Sequence, residues 1–223
     1  MPDPKCGFPR DNKPKTLYRI DGEVLLERTV KQLREAGIKN IRVVTGYGAN
    51  RIRKFNLEKK LNLELTHNPK WDTDAIESLR TGVKDIGDDA LILYSDILVN
   101  VEVLRKFLEC DAPLAWLKLI KPWGKPWPTN KNDEIYRGDR NICIVKVAKE
   151  KLEIFNRAEE YAEQWLKRYG RSADGGSALH LDALLMEALY QNGPVEDIVI
   201  PVNVGDIDYY RFTDEGKEAL RVH

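Results

Sequence analysis

The sequence has no net charge: Lys plus Arg number 36, and Asp plus Glu also number 36. A protein that coats nucleic acid would be clearly basic, so the balance argues against that class. It leaves room for a local cationic cluster around a small anion. Cysteine is scarce. Cys6, Cys110 and Cys143 are odd in number, far apart and outside any CxxC pair, which argues against a disulfide framework and a thiolate zinc site. There is no apolar run near the ~20 residues that a bilayer span requires. The first residues, "MPDPKC", have no apolar segment that would read as a signal peptide, so a reducing cytoplasm is the expected location. Internal repeats, low-complexity segments and Ser-His-Asp or Cys-His nucleophile patterns are absent as well, and His67, His180 and His223 need no catalytic role.

What is present is globular. Hydrophobic residues make up 42% and charged residues 32% of 223 residues, enough for one sizeable core. The expected organisation is a single domain, 1–223, with excursions at 116–140 and 168–180. "KTLYRI" reads as a short strand, followed by the turn pair Asp21-Gly22. "EVLLERTVKQLREAG" reads as an amphipathic helix with Leu25, Leu26, Thr29, Val30 and Leu33 on one face and Gly37 ending it. "NIRVVTGY" is a strand that stops at Gly46, "RIRKFNLEKKL" a helix and "LELTHN" a strand. "DAIESLRTGVKDI" is a helix, and "DALILYSDILV" is the most apolar strand, interrupted by Asp96. "EVLRKFLEC" continues as a helix, "APLAWLKLI" and "NICIVKV" as strands, and "KEKLEIFNRAEEYAEQWLKRYG" and "SALHLDALLMEALYQNG" as helices. "VEDIVIPVN" is a strand, and "TDEGKEALRVH" a terminal helix capped by Thr213 or Asp214. Alternating strands and helices imply an α/β fold with a doubly wound, mostly parallel, Rossmann-like sheet. Its ligands would sit at the carboxyl ends of the strands.

The residues that could carry chemistry are few. Asp96 is a carboxylate inside an apolar run, costly there unless it sits at a strand end or holds a cation; capping a turn is the alternative. Asp206 and Asp208 are two apart and point to one face of an extended chain. With a third carboxylate they form an oxygen donor set suited to magnesium, although a polar turn before a helix has the same composition. In Lys13-Pro14-Lys15 the proline fixes its own φ and extends Lys13. Two point charges on a stiff backbone suit phosphate, while a solvated basic face is the commoner explanation.

The order of these features resembles the nucleotidyltransferase superfamily. It runs Gly-x-x-Arg, then "KPKTLYRIDGEVLLERTVKQLREAGIKNIRVVTGY", then Asn68 in "NPKWDTDAIESL", then a strand with Asp, then "DID". The resemblance covers about residues 5–110 and 200–220. "NPKWDTDAIESL" is similar to the branch that uses CTP and small phosphorylated alcohols. By resemblance, Lys15 contacts the triphosphate and acceptor phosphate, and Arg10 stabilises the leaving pyrophosphate. Asp96 and Asp208 hold Mg²⁺, with Asp206 as a supporting ligand. Gly7, Lys13, Gly46, Tyr47, Asp74 and Ser78 belong to the nucleotide site.

The implied reaction is transfer of a nucleoside monophosphate, CMP from CTP by preference, to a small phosphate monoester or phosphonate with release of pyrophosphate. Neither nucleic acid nor a membrane is an implied partner, and a homodimer is left open. Sugar-1-phosphate uridylyl- or thymidylyl transfer, molybdopterin-type guanylyl transfer and a nucleotide-binding pseudoenzyme are the alternatives.

Two segments depart from the family pattern. The apolar strand and glycine-rich loop that open such chains are replaced by "MPDPKCGFPR", which leads to the expectation of a late start or a rebuilt loop. Between the family's strands lies "WLKLIKPWGKPWPTNKNDEIYRGDR". Its Trp116, Lys118, Lys121 and Trp123, together with Arg171 further on, are candidates for contacts with the acceptor.

Overall fold

The computed structural model describes residues 13–72, 75–95, 97–120, 139–157, 160, 196–198, 207–212 and 219–222. In chain order the first elements are a 3₁₀ turn (Lys15–Leu17), β1 (Arg19–Ile20), β2 (Glu23–Val24), α1 (Leu25–Glu35), β3 (Arg42–Thr45), α2 (Ala49–Glu58) and β4 (Glu64–His67). There follow α3 (Ala75–Val83), β5 (Ala90–Leu93), β6 (Ile97–Val99), α4 (Val101–Leu108), β7 (Leu114–Ile120) and β8 (Asp139–Val147). A 3₁₀ helix (Lys149–Arg157), β9 (Glu196–Ile198), β10 (Ile207–Phe212) and β11 (Ala219–Val222) complete them. They gather into two compact units. One lies within Met1–Thr73, Tyr94–Arg105 and Asn203–His223, the other within Asp74–Leu93 and Lys106–Val202.

In the first unit, Pro14 (φ −57°) starts the 3₁₀ turn, closed by Leu17 N–H to Pro14 O at 2.9 Å and Tyr18 N–H to Lys15 O at 3.1 Å. The strand expected over "KTLYRI" therefore shrinks to β1, because the proline bends the chain before a ladder can begin. β1 and β2 are joined by Asp21 (φ 52°) and Gly22 (φ 83°), two left-handed residues as a type I′ hairpin turn requires. α1 buries Leu25, Leu26, Val30 and Leu33. It ends in a Schellman motif: Ile38 N–H bonds Leu33 O and Gly37 N–H bonds Arg34 O, both at 3.0 Å. Gly37 at φ 100° supplies the positive φ this ending needs.

β3, α2 and β4 make a β-α-β unit. The two strands pair in parallel from Arg42↔Glu64 to Thr45↔His67, and an ion pair at 2.7 Å joins the first pair. Asn56 fixes the return of the chain. Its Nδ2 donates to Leu63 O and its Oδ1 accepts from Leu63 N–H, each at 3.1 Å. One core cluster joins Leu17, Val24, Leu26, Val30, Ile52, Leu61 and Leu63, with Ile41, Val43, Phe55 and Leu65 packed against it. Burying such aliphatic side chains contributes about 1.5–3 kcal/mol each. β6, β10 and β11 form an antiparallel sheet in the order β11-β10-β6.

In the second unit the sheet order is β5-β8-β7-β9, with β7–β9 parallel and the other pairs antiparallel. Ala115, Leu117, Ile144, Val145, Val147 and Phe155 are wholly buried.

Three sequence expectations change. The fold is α/β, but its described sheets are mixed: β3–β4 and β7–β9 are parallel, the remaining pairs antiparallel. The connection between β10 and β11 is too short for the dozen or more residues that a parallel crossover needs, so the pair returns antiparallel. The apolar run "ALILYSDILV" is two strands, β5 and β6, in different sheets. The ladder breaks at a turn where Ile97 N–H bonds Tyr94 O at 3.3 Å. The end of the chain is a strand over Ala219–Val222 where a helix was expected, because β10 offers it a ladder from Tyr209↔Val222 to Phe212↔Ala219. Pairing of this kind overrides a weak helical pattern.

Candidate functional site

A parallel pair brings two carboxyl ends to one edge, and in α/β sheets ligands collect there. At the ends of β3 and β4 the chain builds a cavity of about 550 Å³ lined by Gly46, Tyr47, Gly48, Ala49, Asn50, Arg51, Arg53 and His67. This size suits a small-molecule ligand. Two glycines shape it. Gly48 caps α2 in the left-handed region (φ 65°, ψ 23°), which an L-residue enters at a cost of about 1–2 kcal/mol. Gly46 has a different reason. A Cβ added there would collide with Trp71 Cβ and lie 2.6 Å from its Cγ; the Cβ is fixed by the backbone and cannot swing away.

Trp71 is brought over Gly46 by Asn68, which is 1% exposed. The Asn68 N–H continues the ladder to Thr45 O at 2.8 Å, and its Oδ1 accepts from Lys70 N–H at 2.8 Å. This Asx turn folds the chain back. The Tyr47 and Trp71 rings then meet at 5.5 Å between centroids, tilted by 54°. Thr45 Oγ1 bonds Thr66 O at 3.2 Å and ties the two strand ends together.

The cationic turn lies in the same unit. Lys13 Nζ stands 4.8 Å above the ring of Tyr18, a cation–π contact to a buried aromatic. Lys15 is half-buried in the 3₁₀ turn that Pro14 starts. No described residue forms an ion pair with it. The neighbouring Thr16 is buried, and its hydroxyl has no partner among the described residues.

Asp208 sits on β10 opposite Leu98 of β6, and Ile97, the first residue of β6, faces Tyr209. The backbone register therefore sets Asp208 on the strand beside the one that Asp96 precedes in sequence. Asp96 and Asp206 themselves lie outside the described residues, as do Gly7, Arg10, Asp74, Lys121, Trp123 and Arg171. Ser78 is half-buried on α3 in the second unit. Trp116 and Lys118 are on β7, where the pairing with β8 slips: Trp116 faces Val145 but Lys118 faces Asn141. Among the described residues no group of three or more His, Cys, Asp or Glu gathers as a metal site would require.

The structure thus unites Gly46 and Tyr47 in one cavity and Lys13 and Lys15 on one turn. It adds Trp71, Arg51, Arg53 and His67, which sequence reading did not assign to the site. Their only advance signal was position, within a few residues of the ends of two consecutive strands.

Residues 9–127 match the family model of the MobA-like NTP transferase domain. The chain belongs to this family of nucleotidyltransferases. Among curated proteins, it is 23% identical to the bifunctional protein GlmU of Wigglesworthia glossinidia brevipalpis, over 87% of this chain and 44% of that protein. It is 34% identical to the choline-phosphate cytidylyltransferase of Haemophilus influenzae over 39% of this chain and 36% of that protein. The chain spans less than half the length of the curated relatives it matches.

Among solved structures, it superposes on the CTP:phosphocholine cytidylyltransferase LicC of Streptococcus pneumoniae with a TM-score of 0.61 at 16% identity, covering 89% of this chain and 85% of that one. The inositol-1-phosphate CTP transferase of T. maritima gives 0.58 at 14% identity, covering 86% and 78%. At these identities the likeness is one of fold. No described helix is long and apolar enough to cross a membrane.

Proposed function

We propose that this chain is a magnesium-dependent nucleotidyltransferase. It would move a nucleoside monophosphate, CMP from CTP by first preference, to a small phosphorylated or phosphonylated acceptor in the cytoplasm. The observation that carries this reading is the cavity at the carboxyl ends of β3 and β4, found in a chain of the NTP transferase family. The preference for CTP draws on the "NPKWDTDAIESL" segment and on two structural neighbours whose own substrates include CTP.

The chemistry asks little of the protein beyond alignment and charge. An oxygen of the acceptor phosphate attacks the α-phosphorus, the bond from that phosphorus to the bridging β-phosphate oxygen breaks, and pyrophosphate leaves with its electron pair. The nucleophile is already anionic, so no protein nucleophile or general base is needed. The two polyanions repel each other, and cationic groups offset this and stabilise the charge that builds up in transfer. Lys15 is half-buried on a rigid turn and would meet the phosphates as a fixed point charge, with Lys13 and Arg10 beside it. Gly46 and Tyr47 would border the nucleotide, Asp74 and Ser78 the base, and Trp116, Lys118, Lys121, Trp123 and Arg171 the acceptor. Asp96, Asp208 and Asp206 would hold magnesium. Their oxygen-only donor set fits that ion, and the β6–β10 register sets Asp208 on the strand next to the one Asp96 precedes. When bound, the metal supplies charge neutralisation at the phosphates.

The test is a pyrophosphate-release assay with the full chain, magnesium, each nucleoside triphosphate and a panel of small phosphate monoesters and phosphonates. Release that depends on both CTP and one acceptor is expected. A folded chain that releases none with any pair contradicts the proposal.

A further inference from the structure

We infer that the cavity at the ends of β3 and β4 grips a phosphate group, with Arg51 and His67 as its direct ligands and Arg53 beside them. The inference deepens the proposed function and rests on it for the choice of probes; the charge pattern stands without it.

Among the described residues, the lining of the cavity contains two arginines and a histidine but no Asp or Glu. Among the other described arginines five carry a carboxylate partner, while Arg19 and Arg34 bond backbone carbonyls. Arg28, Arg42, Arg80, Arg105 and Arg157 each lie within ion-pair distance of a carboxylate. Arg51 has no such partner among the described residues. Among the described residues, Arg53 bonds only the neutral Oδ1 of Asn50, at 3.3 Å. In a chain whose charges balance overall, positive charge without a counter-charge at a concave site is a local choice of sequence.

The choice also works against the helix. Arg51 lies in the first turn of α2, two residues after its start at Ala49, and that turn holds no acidic residue. Cations are disfavoured at that end by the backbone dipoles, and acidic residues are favoured. A sequence that breaks a local rule without a structural gain points to a functional need. Guanidinium groups match the geometry of phosphate oxygens, and an imidazole can add one further hydrogen bond. At about 550 Å³ the cavity is larger than a phosphate alone requires, which leaves room for the rest of a phosphorylated small molecule. Its phosphate belongs either to the nucleotide or to the acceptor.

Calorimetric titration of the full chain with Mg-CTP, phosphocholine, pyrophosphate and cytidine separates these sources. The Arg51→Gln/Arg53→Gln variant is expected to bind at least one phosphate-bearing probe about tenfold more weakly, with a shallower salt dependence. Cytidine binding should be unchanged. Lys39→Gln, a change at an exposed lysine outside the cavity lining, should bind as wild type does. Loss for Mg-CTP alone assigns the phosphate to the nucleotide; loss for phosphocholine alone assigns it to the acceptor. The inference is overturned if the folded double variant binds every probe as wild type does, if cytidine weakens as much as Mg-CTP, or if wild type binds none. Pyrophosphate release from the same samples keeps the two ideas apart. Turnover with unaltered binding in the variant removes this inference and leaves the enzyme reading intact. Arginine-dependent binding without turnover by wild type does the reverse.

Discussion

The parallel β3–β4 pair and the mainly antiparallel β5-β8-β7-β9 sheet solve the same problem of burying aliphatic side chains, with different consequences at their edges. In the first, Thr45 faces His67 in register, so both strands end together. The turn Gly46–Gly48, the start of α2 and His67 at the end of β4 then line one space. In the second, β8 runs against both β5 and β7, so consecutive strand ends fall on opposite edges. Its interior is more completely buried, with Ala115, Leu117, Ile144, Val145 and Val147 at 0% exposure. On β3, by contrast, Val43 and Val44 stay half-buried. One sheet is built for packing, the other for an open edge.

Substitutions can break this contrast. The largest expected effect is on stability in the antiparallel sheet. Ile144→Ala should cost about 2–5 kcal/mol in denaturant unfolding and leave nucleotide affinity unchanged in any fraction that stays folded. Lys15→Gln should do the opposite, lowering turnover by about a hundredfold with no shift in unfolding midpoint, since no described ion pair is lost. A stability loss equal to that of Ile144→Ala would make Lys15 a structural residue.

Gly46→Ala affects both properties. It should cost about 1–3 kcal/mol through the collision with Trp71 and weaken nucleotide binding. Adding Trp71→Gly should recover part of the stability, because the colliding Cβ and Cγ are both gone; strict additivity of the two changes would argue against that contact. The smallest effect is expected at Thr16. Thr16→Val removes a buried hydroxyl that has no described partner and should raise stability by about 1 kcal/mol, measured as a higher unfolding midpoint.

The elements legible in the sequence were those that local chemistry decides. The Asp21-Gly22 turn, the apolar face of α1 and its stop at Gly37 all follow from φ preferences and a 3.6-residue period. The β3-α2-β4 order followed from β-branched runs on either side of a polar helix. Partner choice was not legible. Nothing local in "ALILYSDILV" says that its two halves join different sheets, and nothing in "ALRV" says that β10 will take it as a strand. Both are decided by residues far away in the chain.

The site divides in the same way. Gly46 and Tyr47 could be assigned from the end of a strand and from resemblance to the family. Trp71 reaches them only through the buried Asn68 turn, and the lack of a described carboxylate in the lining beside Arg51 and Arg53 appears only once the cavity is formed. Asp208 was legible as half of a D-x-D pair, yet its adjacency to β6 depends on a long-range antiparallel register.

The central claim is that the nucleotide sits at the carboxyl ends of the parallel pair. A crystal structure of the full chain with magnesium and a non-hydrolysable CTP analogue tests it most directly. The account predicts the analogue against Gly46 and Tyr47, with a phosphate oxygen within hydrogen-bond distance of Lys15. An analogue bound elsewhere, with the Gly46–Gly48 turn bare, would contradict it.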